Sequence, residues 1–325
     1  MKQQGYVGAM KLATLGVTDL NASLKLFNEL MELEIEDRGS VSDSLLKAWG
    51  LKSGISAEFA ELSCKGYPIG RLRLVEFDPK VLKKVRVDFG ENKIDQGTDI
   101  GIKAIDFYVK DPIKPYVKKI QDAGYKFRSL PVKHNLGKIV SEECVFSGPD
   151  DVPILIMVGH SHAITSMRPG SPDGPFSEIP TVSVVAGDLE ETRRFYQEGL
   201  GLIAVTDTET PEEYRDKVND LTGVPSGTRI HFLMWAKEGE ASGKILCVHF
   251  FDQTGERLKN RMKPGNLGFS LLTHETDNIH QLHKRLSEMG FVIIKRPSKV
   301  ESRGLFYQHM LVEGPNEELF EFIEN

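Results

Sequence analysis

The chain has 325 residues, 40% of them hydrophobic and 27% charged, with a formal net charge of −6. That length suits two domains, and that composition an ordinary globular protein. The acidic balance gives no electrostatic reason to expect nucleic acid or an anionic membrane as partner, and no apolar run approaches a bilayer-spanning length. The opening stretch MKQQGYVGAMKLATLGV has Lys11 inside its only mildly apolar run and does not read as a signal peptide. Cys64, Cys144 and Cys247 lie far apart in no metal-like or redox-like spacing. They are expected to be packed thiols of a reduced, cytoplasmic compartment.

Taken in chain order, the elements repeat. TLGVTDLNASLKLFNELMELEI (Thr14–Ile35) reads as a strand, an Asp-Leu helix start at Asp19, and an amphipathic helix. SLLKAWGLKSG (44–54) is a helical insertion, and GRLRLVEF (70–77) a strand. GIKAIDFYVKDPIKPYVKKIQDAGYKF (101–127) is strand, turn and helix, with Gly124 where a helix end wants positive φ. The strand VPILIMV (152–158) closes the half, and the Gly-, Pro- and Ser-rich HSHAITSMRPGSPDGPFSEIP follows as a linker.

The second half retraces the first. VSVVAGDLEETRRFYQEGLGLI (182–203) matches the opening unit through Asp188, and PEEYRDKVNDLTGVPSG (211–227) matches the helical insertion. The strands TRIHFLMWA (228–236) and KILCVHFF (244–251) come next. NLGFSLLTHETDNIHQLHKRLSEMGFVI (266–293) matches the second strand-helix unit through Gly290, and LFYQHMLV (305–312) and the final strand after GPNEELFEF (314–322) end the chain. Asp19 and Asp188 stand 169 positions apart and Gly124 and Gly290 stand 166 apart, so one period spans nearly the whole chain. The fold class is therefore α+β: tandem βαβββ modules, four in number, paired into two domains. The limits are 1–160 for the first domain, 161–178 for the linker and 179–325 for the second.

This pattern, with TDLNASLKLF, GDLEETRRFY and GPNEELFEF, resembles the vicinal oxygen chelate superfamily of glyoxalases, bleomycin-resistance proteins and extradiol dioxygenases. The resemblance implies cupped sheets in which first and last strands of paired modules present up to four ligands to a divalent metal, iron or zinc. Glu321 falls at the superfamily's last-strand glutamate. The first-strand positions are Thr181 and Asn266, poor ligands where histidines would be needed. In the first half the matching positions are Leu12, Arg73, Ala104 and Leu155, which bind no metal.

On KILCVHFF either Cys247 or His249 could occupy the matching position; His249 with Glu321 would be half of a metal site completed by His231 or His309, or a metal-free acid–base pair. Tyr307 and His309 alternate onto one strand face and are expected to look into the same cup as Glu321. His280 and His283 read as solvated helix positions, and 44–54 and 211–227 as lids or junction fillers. The candidate catalytic residues are thus Glu321, Tyr307, His309 and His249, placed in the second domain, and no cofactor is assigned. Three functions compete: a metal-independent lyase or isomerase, a metal-dependent ring-cleaving dioxygenase, and a non-catalytic binder. Each takes a small hydrophobic or aromatic molecule, and a homodimer is compatible with all three.

Overall fold

The computed structural model describes residues 5–80, 83–87, 97–136, 139–161, 174–253, 255–258 and 261–325. Most of the expected linker (162–173) lies outside them. Module one comprises β1 (Met10–Val17), α1 (Leu20–Leu24, running into a π-helical turn to Leu30), β2 (Glu34–Ser40), α2 (Asp43–Ala48), β3 (Ser56–Ser63) and β4 (Arg71–Asp78). Module two comprises β5 (Gly101–Tyr108), α3 (Lys114–Asp122), β6 (Val132–Leu136), β7 (Ile139–Ser147) and β8 (Pro153–Gly159). Module three holds β9 (Thr181–Val185), α4 (Leu189–Arg193), β10 (Ile203–Glu209), α5 (Arg215–Thr222), β11 (Ile230–Ala236) and β12 (Lys244–Phe250). Module four holds β13 (Gly268–Glu275), α6 (Ile279–Glu288), β14 (Val292–Ser302), β15 (Leu305–Glu313) and β16 (Leu319–Glu324).

The punctuation expected from sequence is in place. Asp19 Oδ1 accepts a hydrogen bond from the Ala22 amide, and Asp188 Oδ1 one from Glu191, so both cap the free amides of a first helical turn. Gly124 (φ 95°) and Gly290 (φ 83°) follow α3 and α6 in the left-handed region that a side chain disfavours. All three cysteines are buried free thiols. Among the described residues no helix is long and apolar enough to cross a membrane.

Two eight-stranded sheets result, and they are not divided at the linker. One runs β14-β15-β16-β13-β1-β4-β3-β2, the other β10-β11-β12-β9-β5-β8-β7-β6. Modules one and four therefore share a sheet, and modules two and three share the other. The limits at 160 and 179 separate the sequence halves but not the sheets. Pairing of β5 with β9 across the linker leaves β1 and β13 as open edges, and these satisfy each other as an antiparallel pair.

Alternate strand residues serve two layers. The principal core joins helix residues Leu24, Ile120, Phe195 and Leu282 to strand residues Leu15, Phe107, Trp235 and Phe320. A second cluster around Leu46, Trp49, Phe59, Leu271 and Leu311 lines the cup of modules one and four. A third, around Val218, Ile230, Phe232 and Val248, lines the cup of modules two and three. The insertions cover these cups. α2 packs on β14 of module four, and α5 on β6 and β7 of module two, so each ties together the modules of one sheet.

Candidate functional site

Glu321 lies on β16 beside Thr273 of β13 and opposite Leu311 of β15, and it is 1% exposed. Burying a carboxylate is costly unless its oxygens find donors. Here each oxygen has two. Trp49 Nε1–H donates to Oε1 at 2.7 Å, and His309 Nε2 stands 3.1 Å from the same atom. Thr273 Oγ1–H donates to Oε2 at 2.6 Å, and Arg73 Nη1 approaches it at 3.4 Å. Burial by itself would raise the Glu321 pKa; the His309 bond and the Arg73 charge outweigh it and hold the carboxyl well below the usual carboxylate range.

Two of these donors come from the first half of the chain. α2 is only six residues long and is held at its start by Ser42, whose hydroxyl caps Leu45 N and donates to Glu301 O of β14 at 2.7 Å. Ser44 Oγ accepts from Glu301 N. The helix so anchored delivers Trp49 at its end, inside the cup. Arg73 on β4 donates from Nε to Glu61 Oε1 of β3 at 2.9 Å, and its Cζ lies 5.5 Å from the Trp49 ring centroid. Burial opposes the Arg73 charge, but Glu61 and Glu321 outweigh that and keep it cationic.

Tyr307 occupies the same face of β15 two residues from His309 and lines the cavity beside Glu321, Arg73 and Glu61. Burial first, then the Glu321 charge, raises its phenol, which therefore stays protonated as a donor. The cavity has a volume of ≈ 500 Å³ and apolar walls from Leu12, Val41, Leu45, Phe59 and Phe306.

Of the residues expected to converge, Glu321, His309 and Tyr307 do so; His249 and His231 do not. His249 is on β12, in the other sheet, with Nδ1 2.9 Å from Ala186 O, and it faces its neighbour His231 of β11 across the register. His231 Nε2 contacts Asp207 at 2.6 Å. The expectation failed because strands of one half were assumed to share a cup, whereas β12 belongs with modules two and three. Placement of the site in the second domain fails for the same reason, since Trp49, Glu61 and Arg73 come from module one. The first-strand position beside Glu321 is Thr273 rather than Asn266, which precedes β13, and Thr181 lies on β9 of the other sheet.

The inward positions of the first and last strands around Glu321 are therefore Leu12, Arg73, Thr273 and Glu321. One carboxylate, one hydroxyl, an aliphatic chain and a guanidinium do not make a donor set for iron or zinc. Among the described residues no group of three or more His, Cys, Asp or Glu side chains is arranged to hold a metal ion. Arg73 is the reason chemically: a permanent cation already faces the carboxylate.

The family model of the Glyoxalase/Bleomycin resistance protein/Dioxygenase superfamily matches residues 178–322. Glyoxalase I from Zea mays has the same fold, with a TM-score of 0.63 at 15% identity, over 97% of this chain and 92% of that one. Residues 178–322 thus match the superfamily's model by sequence, and the chain as a whole shares the fold of its solved neighbours. A candidate dioxygenase from Bacillus subtilis gives a TM-score of 0.62 at 11% identity, covering 99% of this chain and 86% of its own. Identities this low show the fold and leave the reaction open. Among curated proteins no sequence relative matches it.

Proposed function

We propose that this protein acts in the cup of modules one and four on a small apolar or aromatic molecule carrying a carbonyl or carboxylate oxygen, by metal-independent proton transfer of the isomerase or lyase kind. The observation that carries this reading is Arg73, a buried guanidinium held between Glu61 and Glu321 at a position where the fold would otherwise present a metal ligand. Arg73 and the Tyr307 hydroxyl then polarise the ligand oxygen, as preorganised donors do for developing negative charge.

Glu321 is not the base in this scheme. With four donors on two oxygens it has no lone pair directed at a ligand, and its charge serves to hold Arg73, Trp49 and His309 in place. Glu61 suits the part better. It lines the cavity and uses only Oε1 to bind Arg73, which leaves Oε2 to take a proton from the carbon α to the polarised carbonyl, whose oxygen takes up the charge, and to return it.

The test is deuterium incorporation from D₂O into a panel of small aromatic ketones and carboxylic acids, with chelator present and NMR as the readout. Exchange should survive chelation and disappear in Glu61→Gln, while quenching of Trp49 fluorescence still reports binding. Exchange that requires an added divalent cation, or that persists in Glu61→Gln, would overturn the scheme. Binding with no exchange by the unaltered protein would make the cup a sequestering site.

A further inference from the structure

The cup of modules two and three holds a separate cavity of ≈ 110 Å³ under α5. Its wall is mostly apolar, with Val145, Leu155, Met157, Leu221 and Phe232 among the contributors. Asp106 on β5 stands where Thr273 stands in the other cup, beside Leu155 of β8 just as Thr273 is beside Glu321. The carboxylate and its supporting donor have in effect changed places. Leu155 removes the acceptor, and Asp106 puts a carboxyl group on the neighbouring strand.

Asp106 is 3% exposed, and its Oδ1 has no hydrogen-bond partner among the described residues. A buried polar atom left without a partner is a costly arrangement, and this one faces a cavity that can supply a partner. The charged neighbours divide. Glu143 of β7 is an anion that accepts from Ser141 and lies 3.2 Å from His134 Nε2, while Lys244 of β12 is a cation two strands from Asp106 in the same sheet.

We propose that this cavity is a second binding site, for a small uncharged molecule with a carbonyl-type oxygen that accepts a hydrogen bond from Asp106. Size sets the upper limit: a dry engineered cavity of about 150 Å³ holds benzene, so five or six heavy atoms fit here. Burial, and then the Glu143 charge, push the Asp106 carboxyl well above the usual range, so it carries the proton needed to donate. The apolar wall takes the ligand's hydrocarbon part. An ammonium group would meet Lys244, which selects against amines.

Cyclopentanone, cyclopentane and cyclopentylamine are the probes, and the ¹³C-labelled methyl group of Met157, inside the cavity, is the reporter by NMR. The ketone should shift that methyl saturably and bind at least tenfold more tightly than either analogue. Asp106→Leu should abolish the preference for the ketone, and Asp106→Asn, whose amide can donate, should keep part of it. Leu155→Phe, which fills the space, should remove binding altogether, with circular dichroism confirming that each variant is folded. Arg73→Met, in the other cup, should leave the Met157 response unchanged, so failure here is distinguishable from failure of the proposed reaction. Absence of any shift with the ketone, or an undiminished preference in Asp106→Leu, would overturn the proposal.

Discussion

The Arg73–Glu321 pair offers the sharpest test of how the first cup is built. The two side chains are 12% and 2% exposed, so little solvent screening is available to either. Arg73→Met leaves Glu61 without its cation and Glu321 with three donors instead of four. Breaking a buried pair from one side costs about 3–5 kcal/mol, and the surviving donors put the loss near the lower end, at about 3 kcal/mol. Glu321→Met keeps Arg73 on Glu61 but removes the acceptor of Trp49 Nε1, Thr273 Oγ1 and His309 Nε2. At about 1–3 kcal/mol for each buried group left unsatisfied, its cost is about 3 kcal/mol or more.

In the double variant the Glu321 carboxylate is removed together with the guanidinium, only the less buried Glu61 is left without its cation, and two apolar chains of matched length fill the space. Its destabilisation should fall short of the sum of the single losses by about 2 kcal/mol, the coupling expected of groups sharing one network. Urea unfolding followed by far-ultraviolet circular dichroism measures all four proteins, and an unchanged m-value shows that the unfolded reference is common. Additivity to within about 0.5 kcal/mol would show that the two side chains do not depend on each other. The account of Glu321 as an anchored counter-charge would then be wrong.

Other outcomes follow from the same geometry. His249→Ala and His231→Ala should leave ligand binding in the cup of modules one and four unchanged, as measured by Trp49 fluorescence, because both imidazoles lie in the other sheet. Elemental analysis of the purified protein should find less than one iron or zinc per chain, and a tight stoichiometric ion would contradict the donor set described. Glu318 is pushed up to about 7 by burial, against donors that include the Tyr196 hydroxyl and Asn316 N–H. The stability it contributes is full below its ordinary value of 4.5 and is lost as pH rises through about 7, a change of about 3 kcal/mol that Glu318→Gln should flatten in urea titrations. His274, buried against Phe320 and Phe322, is held down to about 4 by burial. Its contribution is present above 6.5 and lost as pH falls through about 4, so acid unfolding should begin at lower pH in a variant that replaces it with an uncharged residue.

The modules are written locally in the chain. Period-two strands, helix starts at Asp19 and Asp188, and glycines at 124 and 290 are local signals, each read from a few neighbouring residues, and all are found as expected. The face shared by Tyr307, His309 and Glu321 was legible too, because alternation along β15 and a tight turn into β16 fix which side chains point together.

Which modules share a cup was decided only by tertiary pairing. Nothing local to KILCVHFF tells β12 that it will lie in the sheet of modules two and three, away from Glu321, so His249 looked as good a partner as His309. Nothing local to RLRLVEF or LLKAW says that Arg73 and Trp49 will meet a carboxylate about 250 residues further on, yet they supply half of its donors. The physical reason is that side-chain alternation is set within a strand, whereas strand partners are chosen among all edges left open by the other pairings. Closing β5 on β9 leaves β1 to close on β13, and that one long-range choice assembles the site.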